Sequence, residues 1–133
     1  MPYRVHRDPQ GVPGVTLAGE PPYCHALAAG VLALEPALRQ GVWLVMAFAV
    51  WSIPDVAAVQ RALDLARRLG GRLSVGVRPY DDPLELTAWW PDADPIAPGP
   101  FWVLLRDGHI IGSLAGLPTD DELDALVRAA TEP

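Results

Sequence analysis

The chain predicts an α/β domain in which a central mixed sheet is flanked by helices. Three observations carry this. Val42-Trp43-Leu44-Val45-Met46-Ala47-Phe48-Ala49-Val50 is apolar throughout, as expected of a strand buried on both faces in the middle of a sheet. It runs through Trp51 directly into a helical pattern, with Val56, Val59, Leu63 and Ala66 on one face. Near the other end two apolar runs flank Asp107-Gly108, a strong signal for a two-residue hairpin turn. A buried strand that becomes a helix N-terminus is where α/β folds place their chemistry, so function is sought around residues 51–55.

In chain order, residues 1–14 hold Pro2, Pro9, Pro13, Gly11 and Gly14, and the expectation is an irregular N-terminal arm ahead of a domain over 15–133. Val15-Thr16-Leu17 is read as a short first strand. Pro21-Pro22 opens a helix over 23–40, whose apolar positions Leu27, Val31, Leu34 and Leu38 fall at i, i+4, i+7 and i+11, with Pro36 kinking it. The central strand and the helix over 53–69 follow, and Gly70-Gly71 caps the latter. Residues 72–77 alternate as a strand does. A proline-rich stretch over 79–100 contains a short helix at 83–90. Residues 101–105 and 109–114 form the closing antiparallel hairpin. Thr119 and Glu122 make a capping box for a last helix that turns Leu123, Leu126, Val127 and Ala130 inward.

Composition bounds the function. With 133 residues, half of them hydrophobic, one core is expected. A net charge of −6 offers no footprint for nucleic acid or an anionic membrane. A single cysteine, Cys24, excludes an internal disulfide and a cysteine-rich metal site. The start lacks the apolar core of a signal peptide, and no apolar run reaches the roughly 20 residues of a membrane helix, so a cytoplasmic location is expected. No phosphate loop, zinc spacing or paired-carboxylate site stands out, so neither cofactor nor metal is expected.

This element order, with these motifs, resembles the thioredoxin fold. In that family a hydrophobic strand runs into Trp-Cys-Gly-Pro-Cys at the start of a long helix. Here Trp51 stands for the Trp, Ser52 for the first Cys, Ile53 for the Gly, Pro54 for the Pro and Asp55 for the second Cys. Gly71-Arg72-Leu73-Ser74-Val75 looks like the family's Gly-Lys-Leu-Thr-Val, and Asp81 falls on its Asn-Ile-Asp. After an insertion around 89–95, Pro100 precedes Gly108 as the family's cis-proline precedes its Asn-Gly turn. Gly116 and Leu123 keep the later spacing. The resemblance covers 42–130.

The departures bear on function. Thioredoxin chemistry needs a thiolate at the helix N-terminus and a second thiol to resolve the mixed disulfide. Ser52 and Asp55 are neither, and the family's buried proton-transferring acid falls at Met46. The expectation is therefore a thioredoxin-like domain without dithiol–disulfide activity. Ser52 and Asp55 read first as a helix cap. As a nucleophile or acid–base pair they lack a partner, since His6, His25 and His109 fall on no motif. Pro100, as a cis-proline, would follow a residue, Gly99, whose bare backbone meets a bound peptide; a tight turn into the strand is the alternative. Trp89 and Trp90 either add an exposed aromatic wall or pack the inserted loop onto the body. The expected partner is a protein or peptide, bound through Trp51, Ser52, Pro54, Asp55, Trp89, Trp90, Gly99 and Pro100, in a chaperone, assembly-factor or complex-subunit role. Two alternatives are carried: a single-thiol enzyme using Cys24 in peroxide reduction or thiol transfer, and a homo-oligomerisation module, for which a homodimer is the simplest form.

Overall fold

A computed structural model describes residues 2–18, 24–28, 36–94 and 97–131. Five strands form one mixed sheet in the order β3 (Cys24–Ala26), β5 (Ser74–Tyr80), β4 (Val42–Ala49), β6 (Phe101–Arg106), β7 (His109–Ala115). Its centre is β4, parallel to β5 and antiparallel to β6. From Trp43 to Ala49 every β4 side chain is buried, because both faces of the sheet are covered. Alternation divides them. Leu44, Met46 and Phe48 join Val75, Val77, Trp102 and Leu104 under α1 (Ile53–Leu69) and α3 (Asp120–Thr131). Val45, Ala47 and Ala49 join Tyr80, Phe101 and Val103 on the opposite face, with Leu38, Leu86 and both Trp89 and Trp90.

The local signals are satisfied where they were strongest. Ser52, extended at φ −106°, caps α1, and Gly70 ends it in the left-handed region at φ 57°. Asp107 and Gly108 both take positive φ, 50° and 84°, between β6 and β7 (His109–Ala115). Thr119 N–H donates to Glu122 Oε1 at 3.0 Å and Glu122 N–H to Thr119 Oγ1 at 3.1 Å, closing the capping box on α3. The short helix of the inserted loop is α2 (Leu84–Thr87).

The first forty residues depart from expectation. Residues 1–14 were read as an irregular arm, yet β1 (Tyr3–Arg7) and β2 (Pro13–Leu17) form an antiparallel hairpin of their own. Tyr3, Val5 and Val15 turn inward onto the α1 side of the core, while Arg4 and Thr16 face out. The strand expected at 15–17 thus pairs with the arm and not with the central sheet. The edge beside β5 is taken instead by β3 (Cys24–Ala26). This also corrects the helix expected over 23–40: its start is strand, and Pro36–Arg39 is one turn of 3₁₀ helix that buries Leu38. Residues 29–35, which hold Val31 and Leu34 of that pattern, fall outside the described residues. Among the described residues, no helix is long and apolar enough to cross a membrane.

Candidate functional site

The site grows from the junction of β4 and α1. β4 ends at Ala49, Ser52 N–H donates back to Ala49 C=O at 3.2 Å, and Val50 N–H donates to Tyr80 C=O at 3.1 Å, pinning the turn to β5. Asp55 lies in the first turn of α1 and is 4% exposed. Its Oδ2 accepts from Ala49 N–H at 2.8 Å and its Oδ1 from the Ser52 hydroxyl at 3.1 Å, while its own N–H donates to Ser52 Oγ at 3.4 Å. A carboxylate here complements the positive end of the helix and satisfies an amide that burial would otherwise orphan. Ser52 and Asp55 are therefore tied to each other and to the backbone.

Gly99 lies against this pair from the β6 side, and its peptide bond to Pro100 is cis. A Cβ on Gly99 would stand 2.8 Å from Asp55 Oδ2 and 3.2 Å from Tyr80 Oη. Burial, with the Asp55 charge, pushes the Tyr80 hydroxyl up to about 12, so it stays protonated in the site. Tyr80 escaped the sequence analysis. Its only signal was its place at the end of a strand next to the central one.

The surface above these buried groups is apolar. Trp51 is 63% exposed and Ile53 is 86% exposed. Trp51 Nε1–H donates to Asp81 C=O at 2.7 Å, which fixes the ring without burying it. The Asp81 carboxylate takes a two-pronged bond from Arg7, at 2.6 and 2.7 Å, that fastens the tip of the β1–β2 hairpin beside Trp51. The Arg7 guanidinium holds the Asp81 carboxyl below the usual carboxylate range. Exposed Val12, Leu84 and Leu117 lie at this end of the molecule too: Arg7 also bonds Gly11 C=O, Leu84 follows the end of β5, and Gly116 N–H reaches Pro100 C=O at 2.8 Å. Five of the six exposed large hydrophobic side chains among the described residues are thereby gathered at one end of the sheet, Ile111 being the exception.

The eight sequence-derived positions separate by burial. Trp51 and Pro54 are exposed and Ser52 and Gly99 half-buried, so these reach the surface together. Asp55 and Pro100 are buried beneath it. Trp89 and Trp90 do not form an exposed wall: they are 7% and 8% exposed, their rings tilted at 37° with centroids 6.4 Å apart, and Trp90 edge-on to Phe101 at 5.6 Å. They pack the inserted loop onto the core, because two indoles left in water would forfeit too much apolar burial. Ile53 joins the surface instead, missed because its position was read only as the counterpart of a glycine.

Cys24 lies elsewhere. It is buried in β3 opposite Val75, five positions before Tyr80 on β5, about 16 Å away at the usual strand rise. Burial pushes its thiol up to about 11. Among the described residues, no group of three His, Cys, Asp or Glu could hold a metal ion.

No protein-family model matches the chain. No curated protein matches it either. Among solved structures, a mutant thioredoxin from Halobacterium salinarum NRC-1 superposes with a TM-score of 0.53, covering 73% of this chain and 80% of that one at 22% identity. Likeness at that identity speaks to architecture. With the mixed five-stranded sheet, the strand-to-helix junction at Trp51 and the loop before β6, it establishes that this chain has a thioredoxin-like fold.

Proposed function

We propose that this chain is a non-catalytic thioredoxin-fold protein that binds an extended segment of a partner protein at the end of the sheet. The strip comprises Trp51, Ser52, Ile53 and Pro54 on one side and Gly99 on the other. The observation that carries the reading is the pairing of an exposed, rigidly held Trp51 with a junction whose polar groups are already satisfied. A solvent-facing indole fixed by its own N–H offers contact area at low entropic cost. Ser52 has neither the acidity nor the redox couple of a thiol, and Cys24, remote and raised to about 11, is scarcely a thiolate at neutral pH. This favours a chaperone, assembly-factor or complex-subunit role over a single-thiol enzyme.

The test is capture from native extract with tagged wild-type and Trp51→Ala protein, eluted first with salt and detergent and then with reductant. A partner released without reductant and lost in Trp51→Ala is the expected result. A partner that requires reductant, and disappears in Cys24→Ser, overturns the reading in favour of thiol chemistry.

A further inference from the structure

Beside Trp51 the surface continues into a groove that the thioredoxin-like core alone would not have. One apolar space of about 300 Å³ lies between Tyr3, Val50, Trp51, Ile53 and Val56. A second, of about 620 Å³, is bounded by Tyr3, Arg4, Val5, Thr16 and Val56. Tyr3 and Val56 line both, so the two form one path from Trp51 along β1. One wall is the first turn of α1, and the other is the N-terminal hairpin.

We infer that this groove takes an extended, apolar peptide segment carrying a carboxylate that meets Arg4, and so continues the partner strip beyond Trp51. The inference rests on the peptide-binding reading above. Three observations select this occupant. Among the described residues β1 pairs only with β2, so its other edge can offer backbone donors and acceptors to an added strand. The groove opens onto Trp51, so a segment on the strip is continuous with one along β1. Charge then sets the polarity: Arg4 is exposed, lines the groove, and takes part in none of the ion pairs among the described residues, unlike Arg7, Arg61, Arg67 and Arg68. An uncommitted guanidinium beside an apolar channel favours a carboxylate at that point of the ligand, although the chain's net charge of −6 opposes an acidic ligand at long range.

The probes are fluorescein-labelled octapeptides of Val, Leu and Ile with a single Asp, Asn or Lys at one position, amidated at the C-terminus, read by anisotropy. Wild-type protein should prefer the Asp peptide over the Asn peptide by about three-fold, the range of an exposed ion pair, and Arg4→Gln should abolish the preference. Val56→Lys should weaken all three peptides at least about ten-fold by filling the junction of the two spaces. Thermal unfolding of each variant accompanies the titration, and Arg4→Gln, at an exposed position, leaves the fold intact. An Asp preference that persists in Arg4→Gln overturns the inference. So does peptide binding that is lost in Trp51→Ala and untouched by Val56→Lys, which would leave the strip standing without the groove. Binding of sodium decanoate in place of every peptide would make the groove a fatty-acid site and likewise overturn it. Peptide binding indifferent to Trp51→Ala would count against the strip itself.

Discussion

Gly99→Ala tests whether the site is built as described. The added Cβ would stand 2.8 Å from Asp55 Oδ2, 3.2 Å from Tyr80 Oη and 3.5 Å from the Phe101 ring. None can swing away freely: Asp55 is held at 2.8 Å by Ala49 N–H, and Tyr80 and Phe101 are buried. The cost is that of overpacking, about 1–3 kcal/mol. Asp55→Ala alone removes the acceptor of a buried amide and costs about 1–3 kcal/mol by a different route. In the double variant the shortest contact is gone, so the alanine at 99 should cost less than about 1 kcal/mol. The coupling between the two sites is the difference between these penalties, on the order of 1–2 kcal/mol. Urea unfolding at neutral pH, followed by far-UV circular dichroism with midpoint and slope both fitted, measures each corner of the cycle. If Gly99→Ala lies within about 0.5 kcal/mol of wild type, or carries the same penalty in both backgrounds, the close approach of Gly99 to Asp55 is wrong.

Three further outcomes follow from burial and charge. Trp51→Ala should change stability by less than about 1 kcal/mol while partner retention falls, whereas Trp89→Ala should cost about 3–5 kcal/mol; the same urea series separates them. Ser52→Ala should cost about 1 kcal/mol, the usual weight of an N-cap, and this is seen as a lowered urea midpoint with unchanged slope. Stability should fall on the alkaline side. Tyr80 ionises at about 12 in the fold against 10.0 ordinarily, and Cys24 at about 11 against 9.0, so the unfolded chain releases both protons first. Stability is therefore intact below pH 9 and declines through pH 12; Tyr80→Phe should flatten the part above pH 10, measured as urea midpoints against pH.

How far the sequence could be read depended on whether a signal was local. The β4–α1 junction, the Asp107-Gly108 turn and the Thr119–Glu122 box each write their geometry into adjacent residues, and all three form. The N-terminal hairpin carried a signal too, since Tyr3 and Val5 alternate with Arg4 and His6. It was masked by Pro9 and Gly11, which serve the turn between the strands, and by Pro13, which opens β2. At the start of 23–40 the helical spacing misled because Cys24–Ala26 is too short a strand for its own period to show. Trp89 and Trp90 illustrate another limit. Nothing local says whether a loop aromatic faces solvent or core, and only the hydrophobic face of β6, with Phe101 and Val103, decides it.

The arrangement at Asp55 explains how the junction is held in a fixed shape. In a helix N-terminus open to solvent, the free amides would bind water or a mobile anion. Here the chain supplies its own anion, and the Asp55 carboxylate reaches both the last amide of β4 and the hydroxyl of the capping residue. That closes the turn on two sides and leaves Trp51 and Ile53 nothing to do inward, so they project. Asp81 then fixes the indole through its carbonyl and the hairpin through its carboxylate, coupling the position of Trp51 to that of Arg7. In the proposed binding role, a surface set in this way would recognise by shape and apolar contact, with the hairpin at its margin.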